Sequence, residues 1–214
     1  MHRSALRVIP VAVLTGAALL SSCGRGKLED TPSPTSPKFA ATSYFNEGKT
    51  VYLVADTRAS WLVGRDKFLP LFVAVENKTN DMWGVGRESF VLELPDRTSM
   101  PLATYDEFDE EYSRARADLR AGEPFVRTLS LAFPQRVDNG PFSWLPLDFY
   151  PIRGSRTFPR EEVQIRAGQL TLGYIYFRLP DEAPTEGLFK LLFRPRGPDQ
   201  TFVLDFVPYK PSKR

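Results

Sequence analysis

Residues 169–179 read QLTLGYIYFRL, and this stretch sets the reading of the whole chain. In an extended segment successive side chains point to opposite faces. Leu170, Leu172, Tyr174, Tyr176 and Arg178 then share one face, and Thr171, Gly173, Ile175, Phe177 and Leu179 the other. Similar short runs lie on both sides of it. Upstream are 51–55 (VYLVA), 68–76 (FLPLFVAVE), Ser89 to Leu94 with Phe90, Leu92 and Leu94 on one face, and Phe125 to Phe133. In the last of these Phe125, Leu129, Leu131 and Phe133 alternate with Val126, Thr128 and Ser130, so that face is expected inward, apart from Arg127. Downstream, Leu188 to Arg194 and Thr201 to Val207 flank Pro195-Arg196-Gly197-Pro198-Asp199, which predicts a hairpin with a longer loop. Seven or so short strands without βαβ spacing predict a mainly β chain, an antiparallel β-sandwich.

One segment, about 105–121, breaks the pattern. Tyr105, Phe108, Tyr112, Ala115 and Leu119 recur at helical spacing. Thr104 and Glu107 form a capping box, Gly122 follows as the residue after the C-cap, and acids precede arginines in the order that suits the helix dipole. This predicts one inserted amphipathic helix that lies across the sandwich or plugs one end of it.

The N-terminal part reads differently. His2, Arg3 and Arg7 precede a 13-residue apolar run, Val8 to Leu20. A spanning helix needs about 20 apolar residues, so this run has the length of a signal-peptide core. Leu20-Ser21-Ser22-Cys23 follows, with the sole cysteine of the chain. The motif resembles the lipobox of bacterial lipoproteins. That resemblance implies cleavage after residue 22 and diacylglyceryl transfer to the Cys23 sulfur. Two or three acyl chains, each buried CH₂ worth about 0.8 kcal/mol, make such attachment effectively permanent. Residues 24–43, GRGKLEDTPSPTSPKFAATS, form a Pro/Ser/Thr-rich tether of roughly 25 Å as coil or about 60 Å if extended. The expected organisation is therefore a leader (1–22), a lipidated tether (23–43) and one sandwich domain (44–210). In such lipoproteins of Gram-negative bacteria an aspartate at +2 marks inner-membrane retention. Gly24 stands there, so the resemblance favours the outer membrane in such a cell.

Composition narrows the function classes. Loss of residues 1–22 removes Arg3 and Arg7 from 28 basic residues and none of the 26 acidic ones, which leaves 26 of each. A near-neutral chain lacks the basic stripe that nucleic acid requires. The sole histidine, His2, leaves with the leader, and the sole cysteine is expected to be acylated. Ser-His-Asp and Cys-His catalysis and His/Cys zinc sites are then unavailable, as are intrachain disulfides. The expectation is no enzyme, no cofactor and no metal.

The fragments Val75-Glu76-Asn77, Phe90-Val91-Leu92 and Pro180-Asp181 resemble elements of Ig-like domains in uncharacterised extracytoplasmic lipoproteins. The resemblance spans about 50–207 and implies an Ig-like sandwich. It transfers no catalytic residues.

Four features are weighed as sites. The acids Asp106, Glu107, Asp109, Glu110 and Glu111 offer oxygens to Ca²⁺ but lack an EF-hand spacing, so a solvated helix start is the plainer reading. Segment 134–168 is long, aromatic and framed by prolines, which suits either a partner-binding surface or a cover for one sheet. On the first reading, Trp144, Phe149, Tyr150, Arg153 and Arg156 form the binding surface. Trp61 and Trp83 read as core or edge-covering residues. No spacing selects a hydrolytic carboxylate pair from Asp138, Asp148, Glu161 and Glu162, and Asn77-Lys78-Thr79 reads as a turn. The leading expectation is a non-catalytic interaction or structural module of the cell envelope, held to the membrane by its N-terminal lipid, that presents loop 141–158 to a protein partner. The alternatives are a small-ligand or glycan site in a cleft beside the helix, and a carboxylate hydrolase.

Overall fold

The computed structural model describes residues 40–64, 66–132 and 144–209. The leader, Cys23, most of the tether, Phe133, Asp138 and Phe142 lie outside these residues. All the described residues fall within one compact unit. In chain order the elements are β1 (Ser43–Glu47), β2 (Val51–Asp56), α1 (Arg58–Val63), β3 (Phe68–Asn77), β4 (Trp83–Gly86), β5 (Phe90–Glu93), β6 (Ser99–Pro101), α2 (Tyr105–Glu111), α3 (Ala115–Ala132), β7 (Trp144–Pro146), β8 (Glu162–Ile165), β9 (Leu170–Arg178), β10 (Phe189–Phe193) and β11 (Phe202–Phe206).

Among the described residues the strands form a five-stranded sheet, β1-β2-β3-β9-β7, a four-stranded sheet, β11-β10-β5-β6, and the ribbon β4-β8. Every pairing is antiparallel except β7 with β9. The protein is a mainly β, antiparallel sandwich. The 195–199 hairpin forms as expected, joining β10 and β11 in the register Phe193↔Phe202.

β3 and β9 lie at the centre, and every residue of β3 is buried. Their register, Phe72↔Tyr174 and Pro70↔Tyr176, puts aromatic residues of both strands on one face. The opposite face carries Leu71, Val73, Ile175 and Phe177 and meets the second sheet. Tyr44 touches Phe206 across one end of that interface, in a T-shaped pair with centroids 6.2 Å apart. Pro70 is tolerated inside β3 because β2 pairs only as far as Phe72. Beyond that point the neighbour is α1, whose Ser60 hydroxyl donates to the Pro70 carbonyl. Trp83 is core, stacked on Phe202 at 5.8 Å, and the half-buried Trp61 donates Nε1–H to Val207 O. Asn77 makes the expected turn, its Oδ1 accepting from Thr79 N–H at 2.9 Å.

Two expectations are corrected. The strand expected over 125–133 does not form over its described part, because Phe125 to Ala132 belong to α3. The apolar alternation there is overridden by a longer helical period. Ala115, Asp118, Gly122, Phe125 and Leu129 are buried at spacings of 3, 4, 3 and 4, while Leu131 is exposed. Gly122 therefore lies inside a helix rather than after one. The helix expected over 105–121 is instead two. α2 starts on the anticipated capping box, with Thr104 Oγ1 accepting from Glu107 N–H and Glu107 Oε2 accepting from Thr104 N–H. It stops at Tyr112, whose backbone is extended. α3 then begins a new phase in which Leu119 is half exposed rather than buried. The two helices form a layer against the five-stranded sheet.

Candidate functional site

The helical layer is held by aromatic contacts. Phe108 packs on Tyr176 with centroids 4.6 Å apart, Tyr112 on Phe68 at 5.2 Å, and Phe125 on Phe72 at 5.4 Å. Gly122 lets α3 approach closely, since a Cβ there would lie 2.9 Å from Phe72 Cδ2 and from Tyr174 Oη. One polar group sits within this layer. Asp118 is 1 % exposed, and its Oδ2 accepts from the Tyr112 hydroxyl at 2.6 Å and the Tyr176 hydroxyl at 3.3 Å. The Tyr174 hydroxyl donates to the Asp118 backbone carbonyl. Asp118 Oδ1 has no hydrogen-bond partner among the described residues. Burial pushes the Asp118 carboxyl above the usual range, against the pull of the two tyrosine hydroxyls. The tyrosine hydroxyls are themselves raised, chiefly by burial, so at neutral pH they act as donors.

The chain returns along the far edge of this layer. β7 pairs in parallel with β9, and Leu147 N–H continues the pairing to Leu172 O at 2.9 Å. Successive side chains then part. Phe149 turns towards the second sheet, 6.4 Å from Phe90. Tyr150 turns towards the helices, 5.0 Å from Phe108, and donates its hydroxyl to Ala103 O at 2.5 Å. These two residues are therefore buried core, not parts of a presented loop; an aromatic pair beside a covered strand is worth more packed than exposed. Trp144 is half-buried on the edge strand. Arg153 is exposed and pairs with Asp109 at 2.7 Å, and Arg156 is exposed.

Between α3 and residues 146–152 lies a groove of about 460 Å³. Leu119, Glu123 and Val126, one stripe of α3 beside its buried face, form one wall. Pro146, Asp148 and Ile152 form the other, and Leu172 and Tyr174 contribute to the floor. Asp148 holds its position in a left-handed backbone conformation, φ +48°, which aspartate tolerates better than most residues. Its carbonyl accepts from Arg160 N–H at 2.9 Å, and Arg160 Nε lies 3.6 Å from its Oδ2. Burial raises the Asp148 carboxyl, with Arg160 opposing. A second, more polar hollow of about 500 Å³ lies between α2 and residues 152–154 and shares Ala115 and Ile152 with the groove.

Three of the five acids of α2 make structural contacts. Glu107 caps the helix, Asp109 binds Arg153, and Glu111 binds Lys67 and Arg178. Glu162 pairs with Arg196 at 2.9 Å, in a cluster with Glu88 and Glu161, apart from the groove that holds Asp148. Among the described residues no group of three or more His, Cys, Asp and Glu could hold a metal ion. No helix of these residues is long and apolar enough to cross a membrane.

In the sequence Asp148 stands out only as a hydrolytic candidate, and Glu123 and Val126 on the walls and Leu172 on the floor do not stand out. The available signal was the i, i+4, i+7 spacing of Leu119, Glu123 and Val126, visible once 115–132 is read as one helix.

No family model matches the chain, and no curated protein matches it. Among solved structures it is similar to the crystal structure of the yjhA protein from Bacillus subtilis, at 10 % identity and a TM-score of 0.34, over 70 % of this chain and 76 % of that one.

Proposed function

We propose that this chain is a lipid-anchored, extracytoplasmic binding protein, tethered through Cys23, that holds a small apolar ligand in the groove between α3 and residues 146–152 without performing chemistry on it. The observation that carries the reading is the groove itself. Its volume of about 460 Å³ lies within the range of small-molecule sites, and it sits beside the aromatic layer that docks α3 on the sheet. The half-exposed Leu119 and the half-buried Val126, Ile152 and Leu172 supply its apolar lining. Gly24 at +2 favours an outer-membrane address in a Gram-negative cell.

A thermal-shift screen of sugars, peptidoglycan fragments and short apolar compounds tests this. A ligand at 100 times its Kd adds about 2.7 kcal/mol, which raises the melting temperature by roughly 5–10 °C for a domain of this size. The shift is expected to vanish in Leu119→Trp, which fills the groove from a half-exposed position. Shifts that persist in this variant, or none with any compound, would remove the reading.

A second reading keeps a protein partner. Phe158 is 85 % exposed, within the exposed stretch 153–161 that also carries Arg156. A lone exposed phenylalanine flanked by arginine suits a contact residue. Crosslinking from native envelopes, comparing wild type with Phe158→Ser and Cys23→Ser, should lose a specific partner in both variants; a partner kept in Phe158→Ser would exclude this residue.

A further inference from the structure

The outward side of α3 carries three arginines in one stripe. Arg116, Arg120 and Arg127 follow one another at spacings of 4 and 7, which places them within about 40° of each other around the helix. They lie on the side away from Gly122, Phe125 and Leu129, the residues that pack on the sheet, and all three are exposed. The stripe is about 16 Å long. Leu131, 66 % exposed, continues it towards the end of the helix.

No group among the described residues takes up these charges. None of the three arginines has an ion-pair or hydrogen-bond partner there. By contrast Arg153 binds Asp109, Arg178 binds Glu111 and Arg196 binds Glu162. Glu123 stands three residues after Arg120 and four before Arg127, spacings at which side chains can meet, yet it pairs with neither. Glu110, across the hollow that Arg116 lines, is exposed and pairs with none of them. Helix stability does not account for the stripe either, since Arg116 stands in the first turn of α3, where the helix dipole disfavours a cation.

The tether joins the domain on the same side. The hydroxyls of Thr42 and Ser43 donate to Asp56 Oδ2 at 2.9 and 2.7 Å. Asp56 stands opposite Phe72 in the pairing of β2 with β3, so the two side chains share a face of the sheet. Phe72 is the ring on which α3 packs through Phe125. The tether therefore enters on the helical side of the sandwich.

We propose that the outer face of α3 lies on the anionic surface of the membrane that holds the Cys23 anchor, with Arg116, Arg120 and Arg127 on lipid phosphates and Leu131 entering the headgroup layer. This rests on Cys23 being lipidated and not on the groove. The planar fork of arginine matches phosphate oxygens in pairs. A lipid anchor and a basic patch reinforce one another. The anchor keeps the patch within roughly 25 Å of the surface, and each basic residue near an anionic surface adds to the attachment.

The test uses the acylated chain reconstituted into vesicles, with acylation read by mass spectrometry. Cys23 is the sole cysteine, so once it is blocked by lipid an introduced cysteine is the only free thiol. Ala117→Cys places one on the outer side of α3, and Val203→Cys places one on the far sheet. Each carries a fluorophore, and its quenching by nitroxide-headgroup lipid is measured in phosphatidylcholine vesicles with and without phosphatidylglycerol. The label at 117 is expected to be quenched more strongly than the label at 203, only when phosphatidylglycerol is present, and less so as salt rises. Arg116→Gln, Arg120→Gln and Arg127→Gln together should lower the ratio of docked to undocked chains about 100-fold and erase the difference between the labels. All three positions are exposed, so an unchanged circular dichroism spectrum should show that the variant folds. Equal quenching of the two labels in the acylated chain, a difference that needs no anionic lipid, or one that survives the triple variant would overturn the docking and leave the anchor standing. Loss from the triple variant of an envelope protein that crosslinks to the unsubstituted chain, with no difference between the labels, would give the face to an acidic protein instead. A chain recovered without acyl groups would remove the anchor and this proposal with it.

Discussion

The two faces of β9 are packed on opposite principles. Ile175 and Phe177 enter an apolar interface between sheets, where phenylalanines and aliphatic residues from both sides are almost fully buried. Tyr174 and Tyr176, which alternate with them along the strand, enter a layer of tyrosines arranged around one buried aspartate, Tyr174 at its backbone carbonyl and Tyr112 and Tyr176 at its carboxyl group. The first interface closes completely. The second stays open along one edge, because each tyrosine must keep its ring apolar and its hydroxyl bonded, which limits how the helices settle. A groove is a natural outcome of the second kind of packing and not of the first.

The sharpest way to break this contrast is to empty each face. Phe90→Ala removes a fully buried ring between the sheets and should cost about 3–5 kcal/mol in urea denaturation, with no preserved subset of structure. A smaller loss would mean the inter-sheet face is less tightly packed than its burial implies.

On the helical face the decisive groups are polar. Tyr112→Phe keeps the ring and removes the shorter of two hydrogen bonds to Asp118 Oδ2, and should cost about 1.5–3 kcal/mol. No loss would place Asp118 outside the forces that dock the helices. Gly122→Ala sets two effects against each other. Helix propensity favours alanine by about 1 kcal/mol, but its Cβ would meet Phe72 and Tyr174 at 2.9 Å. Both neighbours are buried and braced, so overpacking of about 1–3 kcal/mol should win and leave a net loss of about 1 kcal/mol. A gain in stability would show that α3 can lift away from the sheet.

The finest distinction is in pH dependence. The folded pKa of Asp118 is raised by burial, so its penalty is present near neutrality and fades as pH falls through that value towards the ordinary carboxylate range. Glu107 behaves oppositely. Its hydrogen bonds from Thr104 lower its pKa, so its contribution is present above the unfolded value and is lost as pH falls through the folded one. Denaturation of wild type and Asp118→Asn between about pH 4 and 7 separates the two. Relative to the variant, the wild type should gain stability on acidification. A constant difference would mean Asp118 does not titrate there.

Much of the sandwich was legible in the chain. Alternation over 89–94 and 169–179 marks strands because a sheet has a period of two, and the apolar run 68–76 marks one buried on both faces. The capping box at Thr104 and Glu107 was equally plain, since caps are made within four residues. The groove was not. Residues 125–133 satisfy a strand pattern and a helix pattern at once, and only docking of Phe125 and Leu129 against the sheet selects the helix. Likewise nothing local separates Phe149 and Tyr150 into different cores. Their fates depend on the parallel pairing of β7 with β9, which joins residues 26 apart in sequence. Local pattern thus determined β2, β3, β5, β9, β10, β11 and the start of the helical layer, but not the short strands β1, β4, β6, β7 and β8. Tertiary packing decided where α3 runs, which aromatics are core and where two carboxylates face a common hollow, because those choices are set by the free energy of burying whole faces together and not by any one segment.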